Sequence, residues 1–187
     1  MNWCNVDESL SNTIVMLKTE FARNNSGGSH IQEAIPTSSS STLPINNDDL
    51  NMLHRFAESN SIYSSSSELE ILGIPCKVYQ GDVNNFWLDS IKHDTSYAPF
   101  YPIWILSAYA LALYSKNLGI NEVIDIGSGD GRIAYCAKLT GMTSHGIEID
   151  ENLVSLQNAI SLRTGVSYNT IISDATQFDY SELNLSK

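Results

Sequence analysis

The sequence predicts an α/β fold: the N-terminal half of a doubly wound parallel sheet (β-α-β-α-β), preceded by a mainly helical N-terminal extension. Two observations favour it. From about residue 120 onward, short apolar runs of strand length alternate with runs of helix length. A turn containing Gly127, Gly129 and Gly131 separates the first of these strands from the helix that follows. Strands that alternate with helices pair in parallel, so we expect one sheet with helices packed against it.

The N-terminal extension is predicted to cover residues 1–81. The apolar residues Leu10, Ile14, Leu17 and Phe21 are three to four apart and predict a helix with one apolar face over residues 6–23. A second helix is expected over residues 48–59. Residues 24–48 are rich in Ser, Asn, Gly and Pro and are interpreted as a flexible linker. A second serine run, after the one at residues 38–41, covers residues 64–67. Residues 71–79 are predicted to form a short hairpin or an edge strand, because Pro75 has no N–H to donate to a neighbouring strand.

The second predicted unit covers residues 82–187. It begins with a helix over residues 85–93 and an aromatic, proline-containing loop over residues 94–102. An apolar helix follows over residues 103–118, with Pro102 in its first turn and Gly119 as its C-terminal stop. The remaining elements are strand 122–126, helix 131–140, strand 144–149, helix 151–164 capped by Asp150, and strand 168–173.

Composition limits the classes of function. The 187-residue chain has a formal net charge of -11 at pH 7, which disfavours a nucleic-acid partner because phosphates are repelled. The apolar run over residues 103–114 is shorter than the ~20 residues of a membrane-spanning helix, so no membrane partner is expected. The three cysteines and four histidines lack metal-ligand spacing. Free thiols indicate a reducing compartment, the cytoplasm.

Acidic side chains follow the three predicted strands. Asp125 ends the first strand, Glu148 the second, and Asp174 comes directly after the third. The glycine spacing is G-x-G-x-G, whereas the dinucleotide fingerprint is G-x-G-x-x-G. Asp125 and Asp130 would repel a pyrophosphate, so the turn favours a cationic or zwitterionic ligand. An acid after the second strand suits ribose hydroxyls, because a carboxylate only accepts hydrogen bonds, and the third acid can accept from an exocyclic amine.

Three segments together, VIDIGSGDGR, GIEID and SDATQFD, resemble the motifs of class I S-adenosylmethionine-dependent methyltransferases. The resemblance implies S-adenosyl-L-methionine as cofactor. It implies that the three glycines line the methionine moiety, that Asp125 lies near the ligand amine, that Glu148 binds the ribose and that Asp174 binds the adenine amine. The expected cofactor-binding residues are Tyr97, Asp125, Gly127, Ser128, Gly129, Gly131, Glu148, Ile149, Asp174 and Ala175.

The segment SYAPFYP, followed by an apolar helix and DIGSGDGRI, is similar to archaeal and mitochondrial protein-lysine methyltransferases. In that comparison Tyr97 and Pro99 belong to a loop that closes over the cofactor. The alternative interpretation is that Tyr97, Phe100 and Tyr101 pack the apolar helix against the core.

The sequence therefore favours a methyltransferase, or its cofactor-binding part, acting on a protein or small-molecule acceptor, with its catalytic residues unassigned. The alternative is a non-catalytic fragment. The sequence stops at Lys187, before the fourth strand that the resemblance implies, so the first strand is expected to have an open edge. That edge could bind a partner chain or a second copy. A nicotinamide-dependent oxidoreductase is disfavoured by the glycine spacing.

Overall fold

The computed structural model describes residues 4–24, 30–83, 86 and 100–183. It contains one antiparallel and one parallel sheet, each of three strands. The helices are α1 (Cys4–Asn24), α2 (Asn47–Ser59), α3 (Ile105–Asn117), α4 (Arg132–Leu139) and α5 (Glu151–Thr164). The strands are β1 (His30–Pro36), β2 (Tyr63–Ile71), β3 (Ile74–Asp82), β4 (Glu122–Ile126), β5 (Thr143–Glu148) and β6 (Asn169–Ile172). A short 3-10 helix covers Tyr180–Glu182.

The parallel sheet confirms the predicted α/β fold. Its strand order is β4-β5-β6, and both neighbouring pairs are parallel. Helix α4 follows β4, and α5 follows β5, as the alternating pattern predicted. Asp150 caps α5 by accepting a hydrogen bond from the Asn152 backbone N–H at 2.8 Å. Because the three strands run in the same direction, their carboxyl ends all lie at one edge of the sheet.

The antiparallel sheet corrects the predicted linker. Strand β1 lies within the segment interpreted as flexible, and it pairs with β3 over its whole length. Ile31 and Ile35 from this strand are buried, as are Leu43 and Ile45 from the loop that follows. These apolar residues are few and widely spaced among polar ones. The composition therefore resembled a linker although the segment contributes to the core.

The second serine run is also part of this sheet. Residues 64–67 lie in β2, an edge strand that is exposed over most of its length. The hairpin that was one of the two alternatives for residues 71–79 is confirmed, because β2 and β3 pair across the turn between Ile71 and Ile74. The other alternative, an edge strand around Pro75, was wrong, because β3 is central in the order β1-β3-β2. Pro75 is the second residue of β3, and near the start of a strand a missing N–H donor is tolerated. Its carbonyl accepts the N–H of Thr37 at 2.9 Å.

Helix α3 begins two residues later than predicted. Pro102 therefore precedes the helix rather than standing in its first turn, and Trp104 is the N-cap. Gly119 ends the helix as predicted, with φ of 87°, a left-handed conformation that glycine adopts readily. The predicted helix over residues 85–93, Phe86 excepted, and the loop residues Tyr97 and Pro99 lie outside the described residues.

Within the described ranges, one apolar core connects the two sheets. The four α1 residues that defined its predicted apolar face, Leu10, Ile14, Leu17 and Phe21, are all buried. Phe21 contacts Trp104 edge-to-face, with ring centroids 5.6 Å apart, and so joins α1 to the start of α3. Among the described residues, no helix is both long and apolar enough to cross a membrane.

Candidate functional site

The glycine turn between β4 and α4 has most of its backbone amides engaged within the protein. Gly127 and Ser128 both donate to the carbonyl of Ile147, at 2.8 and 3.1 Å. Gly131 donates to the carbonyl of Ser128 at 2.8 Å. Gly129 donates to the carboxylate of Glu148 at 2.7 Å. Four N–H groups that could otherwise bind an anion are thus engaged: three hold the turn against β5, and that of Gly131 closes the turn on itself.

Glu148 holds this arrangement together. It is buried, one carboxylate oxygen accepts the Gly129 N–H, and the other accepts the amides of Ile149 and Asp150 at 2.9 and 3.0 Å. A carboxylate has about four lone-pair positions, so three amide donors leave capacity for one further donor. The predicted site residues Glu148, Gly129 and Ile149 are therefore brought together.

The three glycines of the turn have different surroundings, although each has a positive φ of 57–78°. A β-carbon on Gly127 would meet no atom within 4 Å. A β-carbon on Gly129 would lie 2.5 Å from the ring of Phe100, and one on Gly131 would lie 1.9 Å from the Tyr168 hydroxyl. Gly127 therefore faces open space, whereas the need for glycine at Gly131 is explained by packing within the protein.

Asp125 is the acid at the end of β4 whose pKa this environment raises. Its pKa is raised to about 6, chiefly by burial and then by the negative charges of Asp130 and Glu148, whereas a backbone hydrogen bond from Ala134 opposes the shift. A cationic neighbour would stabilise the ionised form of this carboxyl group and so lower its pKa.

The position of Asp130 differs from the sequence interpretation, in which its charge was expected to face the ligand. Its side chain is buried and contacts Arg132 through both carboxylate oxygens. One of these oxygens also accepts from the Asn60 side-chain amide at 2.9 Å. Arg132 in turn binds Glu33, from β1, at 2.8 Å. Asp130 is therefore held within a buried ion network, although its field still reaches Asp125.

Ser128 and Gln157 form a contact that the sequence did not indicate. Gln157, on α5, is fully buried and donates both to the Ser128 hydroxyl and to the Gly129 carbonyl, each at 2.9 Å. The Ser128 hydroxyl consequently lies beneath the turn, beside β5. Nothing in the local sequence signals this pairing, because the two residues are 29 positions apart.

The end of β6 carries the third predicted acid. One carboxylate oxygen of Asp174 accepts the N–H and the hydroxyl of Thr176 at 2.9 and 2.8 Å, a local turn that fixes the side chain. The Ala175 carbonyl accepts the hydroxyl of Tyr180 at 2.9 Å. Ser173 bonds to the Glu148 carbonyl at 3.0 Å, so this turn is tied to the end of β5.

In the aromatic segment before α3, only residues 100–102 are among the described residues, and Tyr97 is not. Phe100 is partly buried, contacts Phe86 edge-to-face, and lies against Gly129. Tyr101 is 78% exposed, so the interpretation that it packs against the core was wrong. The described residues contain no group of three or more His, Cys, Asp or Glu side chains that could hold a metal ion.

No protein-family model matches the sequence, and no curated protein matches it. Solved structures match in part. PH1948 from Pyrococcus horikoshii, described as a candidate RNA methyltransferase, has 21% identity and a TM-score of 0.38 over 51% of this chain and 52% of its own. TehB from Haemophilus influenzae has 15% identity and a TM-score of 0.32, over 61% of this chain and 35% of its own.

The S-adenosylhomocysteine-bound methyltransferase PaMTH1 from Podospora anserina has 13% identity and a TM-score of 0.36, over 80% of this chain and 58% of its own. The chain thus spans between 35% and 58% of the length of these three proteins. Likeness at this level assigns neither a substrate nor an activity to the chain.

Proposed function

We propose that this chain binds S-adenosylmethionine at the carboxyl edge of the parallel sheet and forms the cofactor-binding part of a methyltransferase. The observation that carries the proposal is the use of the turn's amides. Gly127, Ser128, Gly129 and Gly131 donate to groups of the protein itself, and one of those groups is the Glu148 carboxylate. A site for phosphate needs such N–H groups free to point at the ligand.

Charge around the turn supports the same ligand class. Asp125, Glu148 and Asp174 stand at the ends of three adjacent strands, and the guanidinium of Arg132 is occupied by Asp130 and Glu33. A dinucleotide would bring a pyrophosphate into this negative field. A sulfonium ligand with a free amine brings positive charge instead, which the field favours.

The residues of the site fit this cofactor. The open space beside Gly127 allows close approach of a ligand to the backbone. Asp125 would accept from the ligand amine, and Glu148 retains capacity for a ribose hydroxyl after its three amide bonds. Asp174, positioned by its turn with Thr176, would accept from the adenine amine. Tyr97, Ile149 and Ala175 complete the proposed contacts.

When bound, S-adenosylmethionine supplies a methyl group on a positively charged sulfur. The contribution of this chain is placement: the rigid turn and the carboxylates fix the cofactor so that an acceptor can approach the methyl group in line. We assign a protein or small-molecule acceptor, because a net charge of -11 repels nucleic acid. A reducing compartment such as the cytoplasm fits the free, buried thiols of Cys76 and Cys136.

Calorimetric titration with S-adenosylhomocysteine tests the proposal. We expect binding by the chain, no binding of NAD, and a loss of at least about tenfold in affinity for Glu148→Ala, since a hydrogen bond to a charged group is removed. Glu122→Ala is the matched control, because Glu122 lies at the opposite end of the same sheet, against His145. Absence of S-adenosylhomocysteine binding by the unmodified chain would refute the proposal.

A second candidate function is association through the edge of the parallel sheet. Among the described residues β4 pairs with β5 alone, and Ile126 at its end is 59% exposed. An unpaired, apolar strand edge is a template for another chain. Sedimentation analysis at rising concentration tests this candidate. We expect a partner chain or a dimer, and a monomer throughout the range contradicts it.

A further inference from the structure

We infer that Glu33, Tyr63 and Arg132 are positioning residues for the glycine turn, so that the N-terminal antiparallel sheet is part of the ligand-binding machinery. The inference rests on the proposed function for the identity of the ligand. Arg132 ends the first motif, whereas Glu33 and Tyr63 lie outside all three motifs, on β1 and β2.

Arg132 follows the last glycine of the turn and is the first residue of α4. Its side chain is 3% exposed, and each guanidinium nitrogen has a partner. Nε donates to Asp130 at 2.9 Å, Nη1 donates to Glu33 at 2.8 Å and to the Ile103 carbonyl, and Nη2 donates to the Tyr63 hydroxyl at 3.2 Å and to Asp130. All five N–H donors of arginine can thus be accounted for, which fixes the side chain in one orientation.

The partners of Arg132 come from separate elements of the N-terminal half. Both oxygens of Glu33 also accept the N–H of Ile105, at 2.9 and 3.0 Å, so this carboxylate stands at the start of α3. Asn60 follows α2 directly and donates to Asp130 at 2.9 Å. Strands β1 and β2 and the ends of two helices therefore converge on residues 130 and 132 of the turn.

These contacts restrict the conformation of the turn itself. Asp130 lies between Gly129 and Gly131, and its carboxylate is fixed by Arg132 on one side and Asn60 on the other. The two glycines have few steric constraints of their own. Buried hydrogen bonds on the residue between them therefore supply the order that the glycines lack, and Gly129 is held where its N–H meets Glu148.

The inference predicts that weakening the network loosens the turn and lowers ligand affinity. Glu33→Gln removes the charge while preserving the shape of the side chain. Tyr63→Phe removes one hydroxyl and retains the ring. The matched control is Tyr79→Phe: Tyr79 is a buried tyrosine of the same sheet whose ring contacts Tyr63, and its hydroxyl bonds to His54 and Glu58 rather than to Arg132.

Three measurements are made on each variant at pH 8. They are the dissociation constant for S-adenosylhomocysteine, the free energy of unfolding in urea, and the positions of the amide NMR signals of Gly127, Gly129 and Gly131 in the ligand-free protein. We expect dissociation constants raised about tenfold for Glu33→Gln and about threefold for Tyr63→Phe, within the range for the net contribution of a single protein hydrogen bond. Both should shift the glycine signals.

For Tyr79→Phe we expect a loss of stability comparable to that of Tyr63→Phe, with an unchanged dissociation constant and unchanged glycine signals. Equal changes in the dissociation constant and in the glycine signals for Tyr63→Phe and Tyr79→Phe would overturn the inference, as would an unchanged dissociation constant and unchanged glycine signals for Glu33→Gln. If the unmodified chain does not bind S-adenosylhomocysteine, the proposed function fails. The glycine signals of the variants then still decide whether the network positions the turn.

Discussion

The ring of Phe100 lies in the space that a β-carbon on Gly129 would occupy, with Cε2 2.5 Å from the ideal position of that atom. Glycine is required at this position for two reasons, since its φ is also positive at 57°. The close approach connects the aromatic segment before α3 to the turn that we propose as the cofactor site. Gly141 has a positive φ but no atom near its added β-carbon, so it can be compared with Gly129.

Gly129→Ala should be more damaging than Gly141→Ala. Gly141 has φ of 84° and no atom within 4 Å of its added β-carbon, so alanine there costs only backbone strain, roughly 1–2 kcal/mol. At Gly129 the clash with Phe100 adds about 1–3 kcal/mol. Urea unfolding of both variants measures the difference. Equal losses of stability would contradict the role assigned to Phe100.

Ligand affinity should rise with pH around the pKa of Asp125, which burial raises to about 6. A cationic amine favours the ionised carboxylate, whose population rises about tenfold between pH 5 and pH 7 for such a pKa. We expect the dissociation constant for S-adenosylhomocysteine to fall by up to about tenfold over this interval. The Asp125→Asn variant should bind more weakly with a flat profile, and a slope that survives in this variant would exclude Asp125.

The same pKa predicts an opposite trend for the stability of the ligand-free protein. Because the folded-state pKa of Asp125 lies above the ordinary value of 3.8, the folded state retains a proton that the unfolded state has lost. Its contribution to stability is therefore present at low pH and is lost as pH rises from 3.8 to about 6. Comparing urea unfolding of the Asp125→Asn variant with that of the unmodified chain isolates this contribution.

Arg132→Met should destabilise the fold strongly, by about 3–5 kcal/mol, because it leaves two buried carboxylates without their cation. The exposed pair of Lys77 and Glu58 has the same N–O distance of 2.8 Å as the pair of Arg132 and Glu33. Lys77→Met is therefore a matched control, with an expected loss below about 1 kcal/mol. Thermal and urea unfolding give both values. Similar losses would show that burial of the network has little energetic weight.

Ile35→Ala tests whether the segment first interpreted as a linker belongs to the core. Ile35 is fully buried in β1, and truncation of such a side chain costs about 2–5 kcal/mol. Ser41→Ala, at an exposed position of the same segment, should change the free energy of unfolding by less than about 0.5 kcal/mol. Indistinguishable unfolding curves for the two variants would indicate that the strand contributes nothing to stability.

The parallel sheet was predictable because its signals are local. The apolar run Val123-Ile124-Asp125-Ile126 ends at a glycine turn, and Asp150 and Gly165 mark the two ends of α5. Each of these features depends on neighbours within a few residues. The placement of Asp125, Glu148 and Asp174 at one edge followed from the parallel topology alone.

The antiparallel sheet and the ion network were not predictable from local patterns. Glu33 is buried in β1 and paired with Arg132. A glutamate is expected to be exposed to solvent unless a partner of opposite charge is known, so the sequence alone did not indicate its burial. Serine residues dominate β2 because an exposed edge strand needs few apolar side chains. The direction of Asp130 depends on Asn60 and Arg132 together, so only the assembled fold could distinguish a ligand-facing acid from a buried one.

The pair of Glu33 and Arg132 joins residues 99 positions apart in the chain, and Asn60 and Asp130 are separated by 70. Contacts of such long range form late, because the intervening chain must first lose its conformational freedom. During synthesis β1 leaves the ribosome well before the turn that it will hold. The network around the proposed ligand site can therefore be completed only after the first strand meets a partner that is made 99 residues later.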